Sequence, residues 1–503
     1  MTINKPFKTS LVFAVAAFAT LLLSSCANPF AGSPTASQTL QATQSEPDML
    51  VAQNGKLELT LTAAESMVSY QGSSRWAMTY NGKVVGPTLV IHAGDHLTIN
   101  LVNNLKQATS LHTHGLHVSP DQDNPFLMVE PGQSLAYNYD IPKNQQAGTF
   151  WYHPHMHGLT AEQVASGLSG AIIVANQDDS ALAQVATDRV LVINDPPLTN
   201  VNPWADASTS GNTDNTDNMG NMGNMGGMGD MSGMGSMSGM GNSSGVDMMT
   251  AMMGRTGPRI LTNGLDGVEL TNSAGKLERL HLVNATASSR LQFAYSGAKM
   301  LVLSAEGGRL SAPVVSTGFM LAPGERSEVI LVPSTNGGVL TAQRLSSEMG
   351  GNATSTTAKI ASIEASAGTN LSVLPKSFEA NTTNLFAAST KVAKTQVISL
   401  IGHMNPTFNG KAFDPSLVNF TAKKGTVEEW VIKNTTPMYH PIHLHTWGMQ
   451  VKGQVGWQDV VTVAPNSEQV IRIAFDDFAG TTVLHCHILD HEDGGMMAII
   501  KVS

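Results

Sequence analysis

Histidine is the residue type whose spacing first suggests chemistry in this chain. The sequence of 503 residues has 16 histidines, and ten of them fall into four short clusters. The last cluster also holds a cysteine, Cys486, and Met496 follows it. Imidazole nitrogen and soft sulfur together favour copper over magnesium or calcium. The clustered histidines are His112, His114, His153, His155, His440, His443, His445, His485, His487 and His491.

Four of these side chains match the ligand set of a blue-copper site. Two histidines, one cysteine and a weakly bound axial methionine form the trigonal arrangement that serves electron transfer. The eight histidines that remain are too many for one metal ion and suit a cluster of several. The sequence therefore predicts a protein that moves electrons between coppers, with the blue-copper ligands His440, Cys486, His491 and Met496.

The His-x-His spacing has a geometric consequence if these segments are β-strands. Successive side chains of a strand point to opposite faces of the sheet. His485 and His487 would then face one way and Cys486 the other, so that a single strand contacts two metal sites. An electron that reaches Cys486 would cross only a few covalent bonds to the histidine cluster. Two of the paired motifs lie near residue 130 and two near residue 465, so the two ends of the chain must meet in space.

Length and strand pattern favour an all-β fold in about three domains of ~150 residues each. Charged residues are few, at 13%, and short runs of Val, Ile, Leu and Thr recur between turn residues. Residues 84–91, which a turn follows, residues 98–102 and residues 171–174 are predicted strands. Strands at this spacing, with few helical stretches, indicate β-sandwiches.

The four motifs, in this order and at these separations, resemble those of the multicopper oxidase family over most of the chain. The resemblance implies three cupredoxin-like Greek-key β-sandwich domains, with a copper cluster between the first and the third. We place these domains at residues 48–178, 179–380 and 381–503. The middle domain has no ligand motif, and its expected role is to hold the other two at the right distance.

The resemblance also implies four copper ions and a role for each ligand. The type 1 copper would be held by His440, Cys486, His491 and Met496. Met496, rather than its competitor Met497, stands at the family's spacing from Cys486. The type 2 copper would be held by His112 and His443. The coupled type 3 pair would be shared by His114, His153 and His487 and by His155, His445 and His485.

Two carboxylates match family positions that assist proton delivery during O2 reduction, although either could be an ordinary surface or turn residue. They are Asp123 and Glu492. A one-electron donor would give up its electron through His440 or His491 at the surface. Four such electrons would pass by Cys486 to the cluster, where O2 is reduced to two waters. The other histidines match no ligand position and are predicted to be structural or exposed: His92, His96, His117, His157, His281 and His403.

The amino terminus predicts export from the cytoplasm. Two lysines precede an apolar stretch, residues 11–23, which ends in Leu-Ser-Ser-Cys at Cys26. This pattern is typical of a signal peptide and is too short to span a membrane comfortably. The last four residues resemble a bacterial lipobox with Cys26 as the acylated residue. An ordinary signal peptide cleaved elsewhere is the alternative. Residues 1–26 would then be removed or lipidated, residues 27–47 would form a flexible tether, and the protein would be periplasmic, anchored by lipid to the outer membrane.

A methionine-rich stretch, residues 211–253, opens the second domain. Eight methionines recur at every third residue among Gly, Asn and Ser, a period that does not match a helical stripe. Thioether sulfur suits Cu(I), and a three-residue turn would line the sulfurs along one edge. A low-complexity linker in which methionine is incidental is the alternative. We predict additional labile copper at Met219, Met222, Met225, Met228, Met231, Met234, Met237, Met240, Met248, Met249, Met252 and Met253.

Within the family, this stretch points to bacterial cuprous oxidases that protect the cell envelope from copper. Met438 matches a methionine that binds substrate Cu(I) in those enzymes, whereas Thr436 stands where they have an aspartate. The predicted substrates are O2 and Cu(I). A laccase-like oxidase of phenols or aromatic amines and a non-catalytic copper store are the alternatives. The formal net charge of −10 gives no support for nucleic-acid binding, and the chain is expected to be a monomer.

Overall fold

The computed structural model describes residues 46–204, 248–271, 276–306, 308–345, 356–365, 374–402 and 405–503. Within these ranges the chain forms three β-sandwiches in succession, which confirms the predicted all-β class. The predicted signal peptide, Cys26, most of the tether, His403 and the eight evenly spaced methionines lie outside the described residues. No helix in the described ranges is both long enough and apolar enough to cross a membrane.

The first sandwich carries two of the four histidine motifs. Its elements are β1 (Met49–Val51), β2 (Lys56–Tyr70), β3 (Ser73–Tyr80), β4 (Thr88–His92), β5 (His96–Asn104), β6 (His112–His114), β7 (Ser134–Asp140), β8 (Gly148–His153), α1 (Thr160–Ala165) and β9 (Gly170–Ala175). One sheet has the order β3-β2-β5-β7 and the other β1-β4-β9-β8-β6. Leu61 and Ile99 of the first sheet pack against Ile91 and Phe150 of the second. β6 and β8 pair antiparallel, which places the two motifs side by side.

Two of the three strands predicted in this region lie inside observed strands, β5 and β9. The prediction for residues 84–91 was wrong in its first half, because β4 begins only at Thr88. Pro87 has no N–H to donate to a β-ladder, so regular pairing begins after it. Gly86 lies close to Tyr152, whose hydroxyl oxygen would be 2.4 Å from an added Cβ.

The second sandwich contains none of the motifs. Its elements are α2 (Gln177–Val185), β10 (Ala186–Asn194), α3 (Met248–Met253), β11 (Leu261–Thr262), β12 (Val268–Leu270), β13 (Leu277–Asn284), β14 (Leu291–Tyr295), β15 (Lys299–Ser304), β16 (Arg309–Ser316), β17 (Gly318–Leu321), β18 (Arg326–Val332), β19 (Gly338–Arg344) and β20 (Thr357–Ile363). One sheet has the order β11-β10-β13-β18-β15-β16 and the other β12-β20-β19-β14-β17. β13 and β18 are buried along their whole length. Arg279 and Glu328 on these strands pair at 2.7 Å, so neither buried charge is left uncompensated.

The third sandwich carries the other two motifs. Its elements are β21 (Val392–Ile401), β22 (Thr407–Phe408), β23 (Val418–Ala422), β24 (Thr426–Asn434), β25 (His440–Leu444), β26 (Met449–Val451), β27 (Val460–Val463), β28 (Glu468–Phe475), β29 (Gly480–Cys486), α4 (Leu489–Asp493) and β30 (Met497–Val502). The sheets have the orders β22-β21-β24-β28-β26 and β23-β30-β29-β25-β27. β25 and β29 pair antiparallel, with Ile442 opposite Cys486 and His443 opposite His485. This register places the third and fourth motifs next to each other.

His117 joins the first sandwich to the third. Its Nδ1 lies 2.8 Å from the carbonyl oxygen of Thr446 and its Nε2 lies 2.5 Å from Oδ2 of Asp477. Both ring nitrogens can donate only when the imidazole is charged. Burial alone would lower the pKa of His117, but these acceptors outweigh it and the pKa is raised above the ordinary value.

The raised pKa of His117 predicts a pH-dependent contribution to stability. A histidine with a raised folded-state pKa stabilises fully below its unfolded pKa of about 6.5, and the contribution is lost as pH rises through the folded pKa. We expect His117→Gln to lower the free energy of unfolding by about 1 kcal/mol near pH 5.5 and by less near pH 9. Urea unfolding at both pH values measures the difference. His96→Gln, which breaks an exposed pair with Asp140, is the control and should change little. An equal loss of unfolding free energy in His117→Gln at both pH values would contradict a raised pKa for His117.

Candidate metal centre

The only cysteine among the described residues lies at the end of β29, beside two histidines. Cys486 Sγ is 3.6 Å from Nδ1 of His440 and 3.6 Å from Nδ1 of His491. All three side chains are buried, and their donor atoms are close enough to share one metal ion. Met496 belongs to the same hydrophobic cluster as Cys486. Met497 packs in a different cluster, with Val483 and Ile499. The structure therefore puts Met496, and not Met497, on the side of Cys486.

The outer nitrogens of these two histidines are both covered by protein. Nε2 of His440 lies 2.8 Å from Oγ1 of Thr436, and Nε2 of His491 donates to the backbone carbonyl of Met252 at 3.0 Å. His440 is 0% exposed and His491 is 1% exposed. The expectation that either imidazole lies at the surface was therefore wrong. A segment distant in sequence, which the motif does not reveal, covers His491, whereas Thr436 covers His440 from only four residues away.

The first and third sandwiches meet at His112 and His443. Their Nε2 atoms lie 3.2 Å apart, although the residues are 331 positions apart in the chain. Nδ1 of His112 donates to Oδ2 of Asp123 at 2.7 Å, and Nδ1 of His443 donates to the carbonyl of Asp459 at 2.8 Å. Such outer hydrogen bonds fix the tautomer and leave Nε2 free to bind a cation.

The other six histidines form two groups around this pair. In the first group, Nε2 of His485 lies 3.3 Å from Nε2 of His155 and 3.2 Å from Nε2 of His445. The second group has ring centroids 4.9 to 5.7 Å apart and consists of His114, His153 and His487. These are the two sets of residues that the family resemblance implied for the type 3 pair, although the donor atoms of His114 and His153 also lie close to that of His112.

The second group has ring nitrogens without a hydrogen-bond partner in the described part of the chain. They are Nδ1 of His114, Nε2 of His153 and both nitrogens of His487. A buried polar atom without a partner costs free energy, and a bound cation would satisfy these atoms. Imidazole, thiolate and thioether donors together are the set that suits copper. The residues present therefore fit copper ions.

Burial shifts the pKa values of several candidate ligands. Burial, reinforced by neighbouring imidazoles, lowers the pKa of His112 and of His114 well below the ordinary value. It lowers the pKa of His153 to about 4. Burial also raises the pKa of the Cys486 thiol. These three imidazoles are therefore neutral near pH 7, whereas a metal at Cys486 would have to displace the thiol proton.

Both predicted acids touch the histidine groups. Oδ1 of Asp123 accepts from the backbone N–H of Thr113 at 3.0 Å, while its other oxygen holds His112. Glu492 is buried, and its Oε2 lies 3.1 Å from Nδ1 of His485. Burial alone would raise the pKa of Glu492, but the neighbouring imidazoles lower it well below the usual range. Neither residue is a surface carboxylate.

Two residues that the sequence did not reveal also reach the ligands. Oδ1 of Asp459 lies 2.9 Å from Nε2 of His114, and Arg326 holds both oxygens of Asp459 at 2.6 and 2.7 Å. Arg326 opens β18, so the middle domain contacts the ligand shell as well as separating the other two domains. Gly324, at φ +86°, lets the chain just before Arg326 pass close to the His487 ring, since an added Cβ would lie 2.7 Å from that ring. A lone aspartate and a lone arginine give no signal in a single sequence.

The predicted Cu(I) site near Met438 differs from that of the cuprous oxidases, because Thr436 takes the place of an aspartate. The Thr436 hydroxyl accepts from His440 and donates to Oδ1 of Asn434 at 2.8 Å. Both residues are buried, Met438 being 6% exposed. A neutral hydroxyl engaged in this way lacks the charge with which an aspartate would attract Cu(I).

The unassigned histidines of the described ranges take no part in these groups. His92 faces Asp95 and His96 faces Asp140 at the surface. His157 lies against Phe413, and His281 bonds the Thr149 hydroxyl at 2.7 Å.

Comparison with known proteins agrees with this geometry. Three family profiles, each described as multicopper oxidase, match residues 62–179, 239–357 and 378–503. A multicopper oxidase of Staphylococcus haemolyticus is 28% identical over 469 residues, which cover 90% of this chain and 89% of the relative. Copper resistance protein A of Escherichia coli is 27% identical over 57% of this chain and 48% of the relative.

Other relatives and solved structures extend the comparison. Cell division protein FtsP of Salmonella typhimurium is 27% identical over 84% of this chain and 85% of its own length. A multicopper oxidase from Campylobacter jejuni, described as a metallo-oxidase, superposes with a TM-score of 0.70 at 25% identity, covering 92% of this chain and 97% of that one. Each matched region falls mainly on one of the three sandwiches, and the comparisons confirm the predicted fold class.

Proposed function

The chain belongs to the multicopper oxidase family, and on that premise we propose that it couples the one-electron oxidation of a donor to the reduction of O2 to water. One observation carries this proposal. β29 ends in Cys486, whose sulfur faces His440 and His491, while His485 faces the other histidine groups. A single strand therefore connects an electron-accepting site to a site large enough for several metal ions.

The ligand sets suggest how four copper ions would be distributed. We assign the type 1 site to His440, Cys486, His491 and Met496, the type 2 site to His112 and His443, and the type 3 pair to the two groups of three histidines. Bound copper would supply the capacity to take up single electrons and to bind and reduce O2. The protein supplies fixed ligand geometry, since the outer nitrogens of His112 and His443 are held by hydrogen bonds.

Proton delivery is assigned to the two buried carboxylates. Reduction of O2 to two waters consumes four protons, and imidazole nitrogens that hold copper could not supply them. Asp123 and Glu492 are each within hydrogen-bonding distance of a ligand histidine, so either is placed to pass a proton towards the site of O2 reduction. Glu492 also accepts a hydrogen bond from Thr160 at 2.9 Å, which fixes its orientation.

Cu(I) is the electron donor that we favour, and its oxidation would contribute to copper tolerance. The support is the methionine-rich stretch, Met438 beside His440, and the likeness to a relative named for copper resistance. A laccase-like oxidase of phenols or aromatic amines is the second candidate, because the altered Thr436 site weakens the match to cuprous oxidases. We also propose that the protein is a periplasmic monomer with a lipid anchor at Cys26.

Replacing the eight evenly spaced methionines by leucine tests the choice of donor. Leucine keeps the apolar bulk but removes the thioether. We expect kcat/KM for Cu(I) to fall about tenfold, because Cu(I) would lose thioether ligands that bind it. We expect kcat/KM for a phenol to be unchanged. Steady-state O2 uptake with each donor measures both values. Unchanged Cu(I) turnover alongside efficient phenol oxidation would favour the laccase-like enzyme, and copper binding without O2 uptake from either donor would favour a copper store.

A further inference from the structure

The chain just after α3 is fastened to α4 by an ion pair. Nε and Nη2 of Arg255 lie 2.8 and 2.7 Å from Oδ1 of Asp490, and the Arg255 backbone N–H donates to Oδ2 at 2.6 Å. The two side chains are 10% and 3% exposed. A charge pair with three contacts and little solvent has a fixed geometry, and removal of one partner would leave a buried charge uncompensated. Asp490 directly precedes His491, so this pair is anchored at a ligand of the type 1 site.

Several further contacts hold the same turn in place. Gly254 adopts φ +78°, and an added Cβ would lie 2.4 Å from Cβ of Ser288 and 2.8 Å from a methyl group of Ile488. Ser288 donates to the carbonyl of Arg255 at 2.6 Å. The Arg255 guanidinium also lies 4.6 Å from the centre of the Trp204 ring, which contributes a cation–π contact. These contacts together hold the turn in one position.

The position of this turn brings the backbone carbonyl of Met252 into contact with His491, a histidine of the proposed type 1 site. The Met252 carbonyl, three residues before Arg255, accepts the hydrogen bond of His491 Nε2 at 3.0 Å. The imidazole edge of His491 is thereby closed to solvent, and the edge of His440 is closed by Thr436. A planar aromatic donor cannot touch either ring while residues 250–255 keep this place.

We propose that Arg255, through Asp490, is a positioning residue that determines which donors the type 1 site accepts. The inference rests on the proposed function. The pair holds residues 250–255 over His491 and excludes bulky phenols, whereas a single Cu(I) ion needs no contact with the imidazole edge.

Donor selectivity in variants of the full-length enzyme tests this inference. Arg255→Gln removes the charge, Arg255→Lys keeps the charge without the fork, and Gly254→Ala displaces the turn without changing any charge. The control is Arg259→Gln, which breaks an exposed ion pair with Asp266 at 3.3 Å. The donors are tetrakis(acetonitrile)copper(I) and 2,6-dimethoxyphenol. We expect the ratio of kcat/KM for the phenol to that for Cu(I) to rise about tenfold in Arg255→Gln and Gly254→Ala, less in Arg255→Lys, and not in the control.

Two measurements that do not depend on turnover accompany the kinetics. Hydrogen exchange at residues 250–256 in the copper-free protein should speed up in Arg255→Gln and Gly254→Ala but not in the control. The reduction potential of the type 1 copper should rise in Gly254→Ala, because loss of the Met252 hydrogen bond makes His491 a weaker electron donor. A merely structural role for Arg255 would change exchange without changing the ratio of donors.

The outcomes separate this inference from the proposed function. A wild-type protein that reduces O2 with neither donor would overturn the proposed function. A wild type that is active, with variants that keep the donor ratio within twofold of wild type, would overturn only the role of Arg255. If Arg255→Gln does not fold, Arg255→Lys and Gly254→Ala decide the same question.

Discussion

Cys486→Ser is expected to abolish the reduction of O2 with every donor, by at least about 10³-fold in turnover. The variant should also lack the intense blue absorption of a copper–thiolate bond. A serine hydroxyl is a hard ligand that keeps its proton near pH 7, so it neither binds copper strongly nor provides the sulfur bridge between the two sites. O2 uptake and the visible spectrum of the copper-loaded protein measure the two effects.

The chain offers a matched control for this variant. Cys26 is the other cysteine of the sequence, and Cys26→Ser should leave the spectrum and the turnover of the purified protein unchanged. Persistent O2 reduction in Cys486→Ser would contradict the assignment of Cys486 as the electron path. Bound copper in the absence of turnover would still be expected, since the histidine groups do not require the cysteine.

Asp123→Asn is expected to lower kcat about 10²-fold while leaving the blue absorption in place. The carboxylate accepts the Nδ1–H of His112 and the backbone N–H of Thr113, so it both sets the tautomer of a ligand and is placed to relay protons. An amide of the same shape keeps one acceptor oxygen but cannot carry a proton. Steady-state O2 uptake at saturating donor measures the effect, with copper content determined on the same sample.

Asp121→Asn is the control for this substitution, because Asp121 is exposed and only two residues away. It should retain full activity. If Asp123→Asn also retained full activity with a complete set of coppers, the carboxylate would have no part in proton delivery. Loss of copper from Asp123→Asn would instead indicate that its main role is to orient His112.

The local part of the candidate site could be predicted because it depends on short-range periodicity. A strand that alternates sides needs only residues 485–487 to fix which side chains share a face. β29 ends at Cys486, and the ring centroids of His485 and His487 lie 5.8 Å apart. The meeting of the first and third sandwiches also followed from the sequence, since two paired motifs lie near residue 130 and two near residue 465, whereas the pairing of His112 with His443 was implied by the family resemblance. The structure puts their Nε2 atoms 3.2 Å apart.

Contacts made by the middle domain could not be predicted, because they depend on tertiary packing between segments without a motif. Arg326 reaches Asp459, and Met252 covers His491, only after three sandwiches have packed together. The notion of a type 1 histidine at the surface failed for this reason. The start of β4 was misjudged for a local reason, since Pro87 prevents regular pairing before Thr88.

Anomalous diffraction at the copper absorption edge from crystals of the copper-loaded protein would locate each copper ion. We predict one peak within bonding distance of Cys486 Sγ and of Nδ1 of His440 and His491. We predict three further peaks among the eight imidazoles at the junction of the first and third sandwiches. A map without a peak at Cys486, or with copper at methionines alone, would contradict this distribution of copper.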